Sequence, residues 1–391
     1  MKYVKRQIEQ QLLKAAKQFS VVGLTGPRQS GKSTLLKHLF PDHNYLTFDD
    51  PLLRNMALDD PALFMENLRL PIVLDEIQYT PDLLSYIKIA TDKNRDLKGQ
   101  FLLTGSQIFH LMAGISETLA GRIALFELLP FSLSEISQNK EQSLNELFQL
   151  LHKGFYPDPC VHEVAPEIFY PSYVQTYLER DIRQVTSVKD LTLFQRFMEL
   201  LAARTGSLLN LSELSRDCGV SHTTAQNWLS LLENSRIVYL LRPYFKNLGK
   251  RLVKAPKLYF TDTGLLAYLL KYHDGKILAS GPMAGHIFEN FLVLEFLKKK
   301  LNEKALFDLF FYRDSNKVEI DLIVENAQTL DMIEIKMRKN IDKRDVRVTE
   351  KIDMPNPQIS RWLLSCNENP IKVSGKTRNL PWWLWNESFF I

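Results

Sequence analysis

Cysteine is scarce in this chain: Cys160, Cys218 and Cys366 are the only three in 391 residues. They are too few and too scattered for a disulfide framework or a CxxC metal site, which points to a reducing compartment. Long apolar runs are also missing, since none approaches the roughly 18 to 20 residues that a bilayer crossing needs. The N-terminal stretch MKYVKRQIEQQLLKAAKQF is charged throughout and has no apolar signal core. Neither sign of charge is in excess, with 49 Lys and Arg against 45 Asp and Glu and a formal net charge of +4. That balance does not mark a nucleic-acid binder, although a local basic patch fits inside it. Internal repeats and low-complexity tracts are absent as well. Secreted, collagenous, membrane-spanning and disordered classes are excluded, and a cytoplasmic location without membrane contact is expected.

What is present is an ordinary globular composition, 45% hydrophobic and 24% charged. At typical domain sizes this length divides into two or three domains. Residues 1–18 carry Val4, Ile8, Leu12 and Ala15 at helical spacing. Apolar runs at 21–25, 45–48, 72–74 and 101–104 read as buried strands, separated by helical stretches such as 33–40 and 83–91. A fifth strand follows at 123–128. Strands alternating with helices predict a parallel sheet covered on both faces. From about Phe131 the texture turns helical, most clearly at 170–185 and 193–204. Residues 207–260 read helix, turn, helix and two strands (237–241 and 257–260). Beyond Leu265 come a helix (285–301) and strands at 309–312, 319–324 and 332–336, an α/β module. The closing PWWLW, 381–385, is apolar enough that it must pack somewhere.

Gly26, Pro27, Arg28, Gln29, Ser30, Gly31, Lys32 and Ser33 match GxxxxGK[ST] between a strand and a helix. The glycines permit turns that aim successive N–H groups inward as a nest for phosphate oxygens, and the following helix adds its positive end. Lys32 is expected at the β- and γ-phosphates of ATP, Ser33 on Mg²⁺, and Thr34 behind them. The apolar strand before Asp75 and Glu76 ends at the mouth of the sheet, where ligands bind. Asp75 suits the Mg²⁺ shell, and Glu76 suits polarising the attacking water. After the next strand, Ser106 is the candidate contact to the γ-phosphate, with Thr104 and Gln107 behind it; a plain strand-to-loop turn explains the same letters. Arg122 is placed either to neutralise charge on a neighbouring subunit's nucleotide or simply at the surface.

The phrases GPRQSGKST, PIVLDEIQ, LLTGSQ and LAGR, in this order, resemble bacterial and archaeal AAA+ ATPases that carry a C-terminal domain of unknown function. YVQTYLERDI (173–182), YFTDTGLLAYL (259–269) and FENFLVLEFL (288–297) are similar to the same family, so the resemblance spans nearly the whole chain. It implies an ASCE-type core using ATP and Mg²⁺, a winged-helix middle and a nuclease-like C-terminal fold.

Residues 211–234 follow helix-turn-helix logic. Gly219 suits the turn, Val220 plugs between the helices, and Ser221 caps the second helix. Ala225, Trp228, Leu229 and Leu232 form one apolar face, and His222, Thr223, Gln226 and Asn227 form an opposite face able to reach base edges. Arg236, Arg242, Lys246, Lys250, Arg251, Lys254 and Lys257 follow with no acid among them, and Tyr244 and Phe245 lie between. Residues 221–257 are therefore a candidate surface for double-stranded DNA, with a packing or oligomerisation role as the alternative.

Near the C-terminus, one hairpin register brings Asp321, Glu334 and Lys336 together, and Glu289, expected to point outward from its apolar helix, completes the group. This set resembles the PD-(D/E)xK nuclease core. The resemblance implies a second site for Mg²⁺ or Mn²⁺ on Glu289, Asp321 and Glu334, with Lys336 orienting water. An alternating strand with outward charges has the same letters.

The chain is thus expected to be α/β: a P-loop NTPase core of ASCE/AAA+ type over 1–130, a helical region over 131–206, a winged helix over 207–264 and a restriction-endonuclease-like domain over 265–391. The expected activity is ATP hydrolysis, in a possible homo-oligomer. An ATP-responsive DNA-binding regulator and an ATP-gated nuclease are the alternatives.

Overall fold

A computed structural model describes residues 3–105, 118–137, 143–178, 191–244, 254–352, 354 and 358–388. Two compact units emerge. One comprises Met1–Phe131 with Asn234–Ile237 and Leu301–Lys304; the other comprises Ser132–Glu233, Val238–Lys300 and Ala305–Ile391. Among the described residues, no helix is long and apolar enough to cross a membrane.

The first unit contains, in order, α1 (Glu9–Ala16), β1 (Val21–Thr25), α2 (Lys32–Leu39), β2 (Asn44–Thr47), α3 (Pro51–Asp59), α4 (Pro61–Glu66), β3 (Ile72–Asp75), α5 (Leu83–Lys93), β4 (Phe101–Gly105) and β5 (Ile123–Glu127). The strands form one sheet in the order β2-β3-β4-β1-β5, and every pairing is parallel. Its strands read as unbroken apolar runs because both faces are covered. Val21, Ile72, Leu74, Phe101 and Leu103 pack in one core with residues of α3, α4 and α5. Val22, Leu24, Val73 and Leu102 pack in the other with Leu12 of α1 and Leu35 and Leu36 of α2. Each fully buried Leu, Val or Phe contributes about 1.5 to 3 kcal/mol. The parallel arrangement gathers the loops leaving β1, β3 and β4 at one edge, where α/β sheets hold ligands. β4 lies between the strand before the phosphate loop and the strand that ends in acids.

The second unit begins with α6 (Leu133–Ile136), α7 (Leu144–Lys153), α8 (Pro157–Val161), α9 (Pro166–Tyr173), α10 (Leu191–Ala202), α11 (Leu211–Cys218) and α12 (His222–Asn234). Where a helix over 170–185 is expected, α9 continues into a π-helical segment, Val174–Leu178, and residues 179–190 lie outside the described residues. Gly219 ends α11 with φ +80°, the left-handed conformation that glycine adopts without steric cost. Ser221 Oγ accepts from the Thr224 N–H at 3.0 Å and so caps α12. Trp228 of α12 meets Phe194 and Phe197 of α10 edge-on, at 5.3 and 5.4 Å. An antiparallel pair follows, β6 (Val238–Leu241) with β7 (Lys257–Phe260).

After α13 (Thr263–Leu269) and α14 (Gly275–Ser280), the helix α15 (Ala284–Glu303) is apolar on most of its circumference, as expected of a helix inside a core. Then come β8 (Asp308–Arg313), β9 (Glu319–Glu325), β10 (Leu330–Lys336), α16 (Arg347–Lys351), β11 (Ile359–Ser365) and β12 (Thr377–Pro381). They form a mixed sheet in the order β12-β11-β10-β9-β8, antiparallel from β8 to β10 and parallel from β10 to β12. The tryptophan tail finds its place against α15. Trp382 lies 5.9 Å from Phe291, and Trp385 lies 4.4 Å from Phe296, ring centre to ring centre.

Candidate active site

The loop between β1 and α2 is shaped by positive-φ backbone at three positions. Gly26 has φ +143°, and a Cβ there would lie 2.1 Å from the Leu128 carbonyl oxygen, so loop and β5 exit are pressed together. Gln29 and Gly31 also have positive φ. No side chain caps the start of α2, which leaves its first N–H groups for an anion. Lys32 is buried along the loop, its Nζ donating to the carbonyls of Gly26 (3.0 Å) and Pro27 (2.9 Å). Ser30 is fully buried, and its hydroxyl has no hydrogen-bond partner among the described residues. Arg28 donates to the Tyr79 hydroxyl at 3.1 Å, and Thr34 is exposed on α2.

The acids at the end of β3 take different positions. Asp75 is buried and is ringed by hydroxyls. Its Oδ2 accepts from Ser33 Oγ at 2.8 Å and from Tyr45, and its Oδ1 accepts from Thr104. Burial, then the hydrogen bond to Asp75, pushes the Tyr45 phenol well above its ordinary range, so it stays a donor. Glu76 has φ +58°, sparsely populated ground for a side-chain-bearing residue. Its N–H donates to Thr104 Oγ1 at 3.3 Å, and its carboxylate accepts from the Gln78 amide. Ser33 and Asp75 therefore present adjacent hard oxygen donors of the type Mg²⁺ takes, beside a loop that fits phosphate. The residues fit the ion.

Two residues of this site gave no signal in the sequence. Arg6 is buried, donates to the carbonyls of Ser30 (3.0 Å) and Leu129 (2.7 Å), and lies 4.3 Å from the centre of the Phe131 ring. It ties the phosphate loop to the exit of β5. Tyr45 reads as an ordinary strand residue, yet it anchors Asp75. Thr104, expected behind Ser106, bridges Asp75 and Glu76; Ser106 and Gln107 themselves lie outside the described residues.

Arg122 precedes β5 at the opposite edge of the sheet. Its guanidinium pairs with Asp92 at 2.8 and 3.0 Å. A five-residue strand separates that edge from the phosphate loop by about 17 Å, so Arg122 does not serve its own nucleotide site.

In the second unit, Asp321, Glu334 and Lys336 do converge. Lys336 Nζ donates to Asp321 Oδ2 at 3.2 Å and to Glu334 Oε2 at 3.1 Å. The Ile335 N–H also donates to Asp321 Oδ2, and Thr349 Oγ1 donates to Glu334 Oε1. Burial favours a neutral Asp321, but Lys336 and Lys257 outweigh it and hold the group down at about 2. Burial, then the Asp321 charge, pushes Glu334 up to about 8. Glu289 does not point outward as expected: it accepts from Lys257 Nζ (3.0 Å) and the Tyr259 hydroxyl (2.7 Å). Among the described residues, no three His, Cys, Asp or Glu side chains are grouped to hold a metal ion. Of the expected quartet, Glu289 and Asp321 lie instead around Lys257, together with Glu319, while Glu334 pairs with Lys336.

Lys257 also corrects the basic stripe. It is 1% exposed, so it is not part of a solvent-facing stripe. Arg236 pairs with Glu127 at 2.7 Å and Arg242 with Glu233 at 3.2 Å. Tyr244 is buried and donates to Glu325, and Lys254 is exposed. Phe245, Lys246, Lys250 and Arg251 lie outside the described residues. On α12, His222, Thr223, Gln226 and Asn227 are all exposed.

Comparison with known proteins assigns residues 18–137 to an AAA domain, 144–276 to a domain of unknown function (DUF8612) and 284–385 to a domain of unknown function (DUF4143). The uncharacterized proteins Rv2008c of Mycobacterium tuberculosis and Mb2031c of Mycobacterium bovis are each 33% identical over 323 residues, 82% of this chain and 71% of theirs. The uncharacterized protein MJ1544 of Methanocaldococcus jannaschii is 22% identical over 411 residues, 93% of this chain and 87% of its own. Among solved structures, a Walker-type ATPase of Pyrococcus abyssi overlaps 67% of this chain and 94% of its own at 15% identity, with a TM-score of 0.46.

Proposed function

We propose, from the premise that this chain belongs to the family joining an N-terminal AAA domain to a C-terminal domain of unknown function (DUF4143), that it is a Mg²⁺-dependent ATPase coupling nucleotide state to a partner. The observation that carries the reading is the 2.8 Å contact between Ser33 Oγ and Asp75 Oδ2, which joins the phosphate loop to the acidic strand. Mg²⁺, when bound, supplies charge neutralisation along the phosphates. The chain's own residues divide the remaining work. The N–H groups of 28–34 and the Lys32 ammonium bind the triphosphate, with Gly26 and Pro27 shaping the loop, while Arg6, Tyr45 and Thr104 hold the loop and Asp75 in place. Glu76 accepts a proton from water at its carboxylate. Arg122 acts on the nucleotide of another copy, which makes a homo-oligomer part of the proposal.

The partner proposed first is duplex DNA, supported by the exposed polar face of α12. The arginines of the stripe give less support, because two of them already have acidic partners. The test is phosphate release from ATP with and without duplex DNA, at low and moderate salt. Turnover that rises with DNA and loses the rise with salt supports the coupling; turnover indifferent to DNA removes DNA as the partner and leaves the ATPase. A second reading, a nucleotide-responsive regulator without turnover, is favoured by the hydrogen bond that Gln78 makes to the Glu76 carboxylate. It predicts ATP-dependent DNA affinity with no phosphate release.

A further inference from the structure

We propose that the Lys257 ammonium occupies the place of a divalent ion among the carboxylates of Glu289, Glu319 and Asp321, and that removing it opens a latent site for Mg²⁺ or Mn²⁺. The native cluster is then a closed set of ion pairs, and the C-terminal domain of this chain works without a catalytic metal.

Three observations carry this. The first is position. Lys257 Nζ lies 3.0 Å from Glu289 of α15, 2.6 Å from Glu319 and 3.7 Å from Asp321 of β9. A single buried point charge with three donors thus draws in carboxylates from a helix and a strand, as a metal ion would. The second is the donor set. Asp321 Oδ2 accepts from Ile335 and Lys336, Asp321 Oδ1 faces Lys257, Glu334 Oε1 accepts from Thr349, and Glu334 Oε2 accepts from Lys336. A hard cation needs those same oxygens, and two ammonium groups, a hydroxyl and a backbone N–H already hold them.

The third is fixity. Lys257 belongs to β7, whose Phe260 N–H and carbonyl are both bonded by the Asn290 side chain, at 2.8 and 2.9 Å. Asn290 is itself held by Thr205 at 2.9 Å. The strand that carries the ammonium is therefore clamped to α15 next to Glu289. The sequence gives no hint of this arrangement, because Lys257 lies 64 residues before Asp321 and reads as one more cation in a basic stripe.

The test is Mn²⁺ titration of the full chain without nucleotide, followed by electron paramagnetic resonance and by thermal unfolding. Wild type and Asp321→Asn should bind the same amount of Mn²⁺, with no metal-induced rise in Tm that depends on Asp321. Lys257→Ala and Lys257→Met should each gain one Mn²⁺ site and a dose-dependent rise in Tm, both lost when Asp321→Asn is added. A variant unfolded without metal should regain its fold with Mn²⁺. An Asp321-dependent Mn²⁺ site in wild type would overturn the proposal. Lys257 variants that neither bind Mn²⁺ through Asp321 nor refold with it would overturn it as well.

Discussion

At the scale of single residues, the proposed nucleotide site depends on how Asp75 is held. Asp75 is aimed by three hydroxyls, from Ser33, Tyr45 and Thr104. Partners that orient a metal-binding carboxylate typically matter by about 10- to 100-fold in metal affinity. Tyr45→Phe keeps the ring and removes one donor, so we expect the Mg²⁺ concentration for half-maximal ATP turnover to rise about tenfold with little change in ATP binding. The buried cluster gives a pH prediction. Glu334 titrates at about 8 in the fold against an ordinary 4.5, so the folded chain keeps a proton that the unfolded chain loses. Stability from this group is complete below about pH 4.5 and drains away as the pH climbs through about 8. Glu334→Gln is neutral throughout and keeps a donor for Asp321. Thermal unfolding from about pH 5 to about pH 8.5 should show the wild type losing ground to the variant. A constant difference in Tm would contradict the shift. The residues legible in the sequence, Lys32, Ser33, Asp75 and Glu76, lie in short local patterns tied to phosphate chemistry. Arg6, Tyr45 and Lys257 act across 24, 30 and 64 residues respectively, and no local pattern records such contacts.

At the scale of elements, the parallel sheet was the most legible part, because strands buried on both faces leave continuous apolar runs bounded by turn residues. β1 and β7 fall where their sequences place them, and the other assigned strands shift by a residue or two at their ends. β11 and β12 were missed for a physical reason. They bury Arg361, Ser365, Thr377 and Asn379 among their apolar residues, and β12 ends in Pro381, so neither shows a clean period. The turn from β1 into α2 is the element on which the site depends. Gly26→Ala puts a methyl group into the Leu128 carbonyl at a backbone angle that side chains rarely adopt. We expect a stability loss of at least about 1 to 3 kcal/mol in chemical denaturation, together with loss of ATP-analogue binding. Wild-type affinity in the Gly26→Ala variant would show that the loop does not need this packing.

At the scale of the whole molecule, the chain combines an AAA domain with a second unit that holds the α11–α12 helix pair and a mixed sheet. The phosphate loop belongs to the first unit, and the lysine-centred cluster belongs to the second. The two claims can therefore fail separately: a metal-free cluster is compatible with an active or an inactive ATPase, and ATP turnover with an open or a closed cluster. The central claim is hydrolysis, and it is tested most directly by phosphate release from Mg²⁺-ATP by the full chain, beside Lys32→Ala and Glu76→Gln. We predict turnover in wild type that falls by at least about 100-fold in both variants, with Glu76→Gln still binding ATP and Lys32→Ala binding it poorly. Release at the wild-type rate from Glu76→Gln, or ATP binding by wild type without any release, would contradict the account.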